Sequence, residues 1–172
     1  MCRSRKAMFR KEPEVQILSP LPDKRMDDME KISIIKATEK DVDVILQMPN
    51  DTVFATSMSE DTFWPKEILR KIVLSDDAMF YLAEHETGEI SGFIICGIVK
   101  SMEKLHIENV FVAEEHRRKG IGEKLMETIL GEAKKENLRY VIGLTNDAND
   151  FFENVGFEKG YEFTWYDLNL KR

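Results

Sequence analysis

A chain of 172 residues with 42% hydrophobic and 33% charged content is the size of one globular domain and can bury a core. Its net charge of −7 argues against nucleic acid as the main partner, and no apolar run approaches the length of a membrane span. Cys2 and Cys96 form neither a metal-ligand spacing nor a disulfide framework, and the N-terminus lacks the apolar core of a secretion signal. These features predict a cytoplasmic protein without a metal ion and without a membrane or nucleic-acid partner.

Residues 1–30 carry prolines at 13, 20 and 22 and little periodicity, and read as a flexible lead-in to a single domain over 31–172. Ile32 to Ile35 reads as a strand. Thr38, with Asp41 three residues on, opens a helix that Pro49 closes. Residues 50–61 are polar and irregular. A second helix is expected from Trp64-Pro65 to Leu74, with Pro65 suited to its first turn. Met79–Ala83 and Ile90–Val99 read as strands joined through the turn Glu86-Thr87-Gly88-Glu89, and Leu105–Val112 as a fourth strand. The next helix repeats Ile121, Leu125, Met126, Ile129, Leu130 and Ala133 on one face and ends near Glu136-Asn137. A fifth strand over Arg139–Leu144, a short helix over Asp147–Asn154 and a final strand over Tyr161–Leu170 complete an α/β chain. The expected architecture is a mixed, mostly antiparallel twisted sheet of six to seven strands with helices on both faces.

Between the fourth strand and the long helix stands Arg117-Arg118-Lys119-Gly120-Ile121-Gly122. The first amides of a helix have no partner inside it, and the peptide dipoles leave that end partly positive. Glycines let those amides approach phosphate oxygens, and the basic side chains add charge at the rim. A phosphate-bearing ligand is the natural reading. A dinucleotide fingerprint needs a third glycine where Leu125 stands, and the Gly-Lys-Ser/Thr triplet of a Walker loop is absent. A helix start that merely happens to be basic and glycine-rich is the plain alternative.

The loop resembles the pyrophosphate loop of the GNAT-type N-acetyltransferase superfamily, Gln/Arg-x-x-Gly-x-Gly/Ala, with Arg117, Gly120 and Gly122 at its three fixed positions. Downstream, 146–157 (NDANDFFENVGF) is similar to the superfamily's second signature, and upstream 32–48 (ISIIKATEKDVDVILQM) is similar to its opening strand and helix. The resemblance implies an acetyl-CoA cosubstrate lying between splayed strands 105–112 and 139–144. It implies main-chain pairing of Phe111 and Val112 with the pantetheine arm and phosphate contacts from Arg117, Arg118, Lys119, Gly120, Ile121 and Gly122. Asn149 and Phe152, in the second signature, join the implied cofactor-binding set.

Acyl transfer to an amine requires that the amine lose a proton, to a carboxylate, a histidine or a water relay. Alternation along the fourth strand places His106, Glu108, Val110 and Val112 on one face. Glu108, beside the implied thioester, is the expected base or water-positioner, and His106 is its rival. Surface charge is the commoner role for an acid on a half-exposed strand. Phe152 stands where many members carry a tyrosine that protonates the leaving thiolate; phenylalanine has no proton to give, which leaves Tyr161, Tyr166 or unassisted departure. The segment from Asp51 to Trp64, with Glu60, Asp61, Phe54 and Phe63, corresponds to the acceptor side and suits a cationic amine. The expected function is acetyl-CoA-dependent N-acetylation of a primary amine, on a small molecule or a peptide, by an enzyme that can form a homodimer. A non-catalytic acyl-CoA-binding regulator, or an interaction module, on the same fold is the alternative.

Overall fold

The computed structural model describes residues 32–48, 64–145 and 148–160. The expected lead-in over 1–30, the segment 50–61 and the final strand over 161–170 lie outside the described residues. β1 (Ile32–Lys36), β2 (Ala78–His85), β3 (Ile90–Val99) and β4 (Lys104–Val112) run antiparallel in sequence order, and β5 (Tyr140–Gly143) lies parallel beside β4. Among the described residues the sheet therefore has five strands rather than six to seven. Its mixed, mostly antiparallel character is as expected. The parallel pair requires a crossover, and α3 (Ile121–Lys135) supplies it.

Two cores lie on opposite faces of this sheet. On one face α3 buries Ile121, Leu125, Met126, Ile129 and Ala133 against Ala83, Ile94, Cys96, Leu105 and Ile107. The face it presents is the one its 3.6-residue apolar spacing dictates. The short helix α4 (Asn149–Asn154) packs Phe151 and Phe152 against the same core. On the other face α1 (Val42–Ile45) and α2 (Lys66–Val73) enclose Val42, Ile45, Leu69, Phe80, Leu82, Phe93, Ile95 and Phe111. Strands buried from both sides account for the nearly continuous apolar run of β3.

The first helix is shorter than its sequence suggests. Thr38 meets Asp41 as expected, its amide and its hydroxyl both donating to Asp41 Oδ2 at 2.7 Å. The turn that follows, Glu39–Asp41, is a 3-10 helix, and α1 holds only four residues. Lys66 of α2 pairs with Asp43 and holds its carboxyl below the ordinary value, mainly through that hydrogen bond. This exposed pair sets the two helices side by side and adds little to stability.

One register shift matters most for the site. Ile95 pairs with Asn109 and Cys96 with Ile107, so Glu108 is an extra residue on β4. Such a bulge resets the alternation of faces. Leu105 and Ile107 join the α3-side core before it, and Val110 and Val112 join that same core after it. The sequence expectation that His106, Glu108, Val110 and Val112 share a face is therefore corrected: His106 and Glu108 face away from α3, whereas Val110 and Val112 face toward it.

Candidate active site

β4 and β5 pair over four positions, the last being Ile107 with Gly143, and β4 continues through Val112 with no further partner on that side among the described residues. The bulge at Glu108 begins one residue beyond the last pair. The described β4–β5 pairing thus ends beside the expected base. Ala113 N–H donates to the Ser91 carbonyl at 2.9 Å, which fixes the alternation of main-chain groups on β4. Phe111 turns its groups toward β3, where a Cβ on Gly92 would come within 2.6 Å of the Phe111 carbonyl oxygen. Val112 turns toward the open edge. Of the two residues expected to offer main chain there, only Val112 is so directed.

The glycine loop has two left-handed residues, Arg118 at φ 62° and Gly120 at φ 80°. Gly120 is the N-cap of α3 and has no side chain to cap it, so the first-turn amides of Ile121, Gly122 and Glu123 keep no partner within the helix or from a capping group. Arg118 and Lys119 are exposed beside them. Amides, dipole and cations together fit a pyrophosphate. Arg117 also makes a contact within the chain. Its Nε donates to the Val112 carbonyl at 2.9 Å, tying the loop to the end of β4.

Gly122 is a packing residue. A Cβ there would meet Phe151 Cε2 at 3.0 Å, so its absence lets α4 close on α3. Likewise a Cβ on Gly143 would lie 2.3 Å from Phe152 Cε1. Phe152 also stacks edge-on with Phe151 at 5.5 Å and Phe157 at 5.3 Å. Its ring fills the wedge between α4 and the tip of β5. Asn149, the first residue of α4, is exposed. Tyr161 and Tyr166 lie outside the described residues.

His106 and Glu108 are brought together, with Nδ1 3.6 Å from Oε1 and side chains 33% and 40% exposed, so both remain open to a substrate. Gly97, opposite His106 on β3, leaves room for Glu108 Oε1, which a Cβ at that glycine would meet at 3.6 Å. Behind the sheet the Cys96 thiol is pushed well above its ordinary pKa, first by burial and then by the Glu108 carboxylate.

Two contacts escaped sequence reasoning. Trp64 Nε1 donates to Asn109 Oδ1 at 2.7 Å across 45 positions of chain. His116, just before the loop, lays its ring 4.7 Å from that of His85, with Nε2 3.5 Å from Glu89 Oε1. The loop is thereby braced against the β2–β3 hairpin. Neither contact has a periodicity or spacing that could have announced it.

Residues 76–159, from the approach to β2 through α4, match the family model of the acetyltransferase (GNAT) domain. That stretch of the chain is similar to the acetyltransferase (GNAT) family. An uncharacterized N-acetyltransferase of Methanocaldococcus jannaschii is 28% identical over 105 residues, 56% of this chain and 46% of the relative. The chain thus spans less than half of that relative's length. The 5-NmdU N-acetyltransferase of Pseudomonas phage PaMx11 is 24% identical over 116 residues, 64% of this chain and 82% of the relative. Among solved structures, AAC(6')-Iy in complex with the bisubstrate analog CoA-S-monomethyl-acetylneamine superposes with a TM-score of 0.66 at 14% identity. That match covers 81% of this chain and 99% of the other, and establishes the shared fold. Among the described residues no helix is long and apolar enough to cross a membrane.

Proposed function

We propose that this domain transfers an acetyl group from acetyl-CoA to a primary amine of a small molecule or peptide by direct attack. The observation that carries the reading is the basic glycine loop that follows β4 and ends in the uncapped N-terminus of α3. An extended thioester arm would lie beside β4, past the last β5 pair at Ile107, with its phosphates at the loop. The amides of Ile121 to Glu123, with Arg118 and Lys119, hold the pyrophosphate. The Val112 N–H faces the pantetheine, its carbonyl being held by Arg117.

Glu108 takes a proton from the bound ammonium, directly or through a water, to free the amine lone pair for attack, and His106 is close enough to share it. The amine nitrogen then bonds the thioester carbon, the carbon–sulfur bond breaks, and CoA leaves as the thiolate. A thiol of pKa near ~8.5 leaves without an obligatory acid. The phenylalanine at 152, packed on Gly143, is consistent with that unassisted departure. The likeness to N-acetyltransferases supports amine acetylation, and the CoA-bearing bisubstrate analog in a structure of the same fold supports the donor.

Calorimetric and thermal titration with acetyl-CoA tests the reading. A ligand at a hundred times its dissociation constant adds about 2.7 kcal/mol of stability. Stabilisation followed by CoA release on addition of an amine supports the enzyme. Stabilisation without turnover against any amine favours a non-catalytic acyl-CoA-binding regulator. No stabilisation by acetyl-CoA or longer acyl-CoAs removes both.

A further inference from the structure

We infer that Trp64 and Asn109 form a pin that sets the β4 bulge and thereby aims Glu108 at the reacting amine. This rests on the proposed role of Glu108 as base. A bulge residue lies outside the ladder, so main-chain pairing to β3 does not by itself fix where its side chain points. The next residue, Asn109, must supply that constraint. It has one, since its side-chain oxygen accepts the Trp64 indole N–H at 2.7 Å in a partly buried setting. Indole has a donor and no acceptor, and a partly buried N–H is costly to leave without a partner. Trp64 is itself anchored: its ring packs on the α1/α2-side core, and the next residue, Pro65, begins α2. The pin therefore connects a rigid helix start to the residue beside Glu108. Asn109 and Trp64 are positioning residues.

Trp64 is also the last residue of the expected acceptor side, so the pin links it to the neighbour of Glu108. Small displacements of a reacting group cost much in rate, about a hundredfold for ~1 Å. Trp64→Phe removes the donor and keeps an aromatic ring in the core; Asn109→Ala removes the acceptor. Wild type, both single variants, their double variant and Glu108→Gln are assayed by CoA release from acetyl-CoA with neamine, spermidine and a tripeptide amide. Amide hydrogen exchange at Glu108 and Asn109 is followed in parallel.

The expected result is a kcat about tenfold lower in each pin variant, with acetyl-CoA affinity within twofold of wild type and faster exchange at the bulge. The double variant should be no worse than either single one, because both remove the same bond. Unchanged kcat and exchange in the pin variants, with activity lost in Glu108→Gln, overturn the pin and leave the base assignment standing. Acetyl-CoA affinity falling in step with kcat also overturns it, since the damage is then general. Full activity in Glu108→Gln, or no turnover by wild type with any of the three amines, overturns the reading on which the pin rests and the pin with it.

Discussion

On the α3 face of the sheet, the parts that meet are close in sequence: β4, the glycine loop and α3 follow one another within residues 104–135. On the α1/α2 face they are far apart, and the contact made by the residue after the expected base, Trp64 to Asn109, spans 45 positions. The first face holds the expected cofactor site and the second the expected acceptor side. The contrast explains why a donor can be argued from a few consecutive residues while an acceptor cannot. A pyrophosphate is met by main-chain amides, whose placement a local motif dictates. An amine acceptor is met by side chains gathered from separate elements.

Matched truncations in the two cores are the strongest way to break this comparison. Leu125→Ala on the α3 face and Leu69→Ala on the other, both fully buried, should each cost about 2–5 kcal/mol in denaturant unfolding. Under conditions where both remain folded, only the Leu125 variant should also weaken acetyl-CoA in calorimetry. Equal weakening by both would mean that the faces are not functionally separate.

A smaller effect, of about 1–3 kcal/mol, is expected for Gly143→Ala, whose methyl would collide with the Phe152 ring. Phe152→Leu in that background should recover part of the loss in melting temperature; no recovery would locate the strain elsewhere. Gly120→Ala sharpens the loop itself. No atom lies within 4 Å of the added Cβ, but φ is +80°, so the left-handed backbone alone should cost about 1–2 kcal/mol and weaken acetyl-CoA. An unaltered affinity would show that the loop does not need this conformation to hold the ligand.

At neutral pH the least effect is expected from a group behind the β4 site, whose contribution changes only in alkali. Burial keeps the Cys96 thiol neutral in the folded chain, where its pKa lies above the ordinary value of 9.0. The unfolded chain releases that proton first as pH rises, so the stabilisation is whole below about pH 9 and declines above it. Its slope is at most about 1.4 kcal/mol per pH unit. Cys96→Ala should flatten stability against pH between 9 and 11, and a slope identical to wild type would assign the loss to other groups.

His106 and Glu108 illustrate how much of the site was legible. Their two-residue spacing put them on one face from the sequence alone, because strand alternation is local. That Val110 and Val112 do not share this face depends on one extra residue in β4 relative to β3, and pairing register is a property of two strands rather than of one. Gly122 shows the same limit. Its place in the motif was readable, but its contact with Phe151 required α4 to be docked.

By itself the sequence determined the strands and helices with strong period, the long amphipathic α3, and the basic glycine loop that opens it, since each depends on neighbours within a few residues. Tertiary structure alone decided the bulge at Glu108, the turning of Phe111 toward β3, the tie of Arg117 to Val112 and the Trp64–Asn109 bond. These depend on which groups meet across the sheet and between distant elements. The physical reason is that local periodicity fixes which face is apolar, whereas long-range register and side-chain pairing fix where each polar group finds its partner.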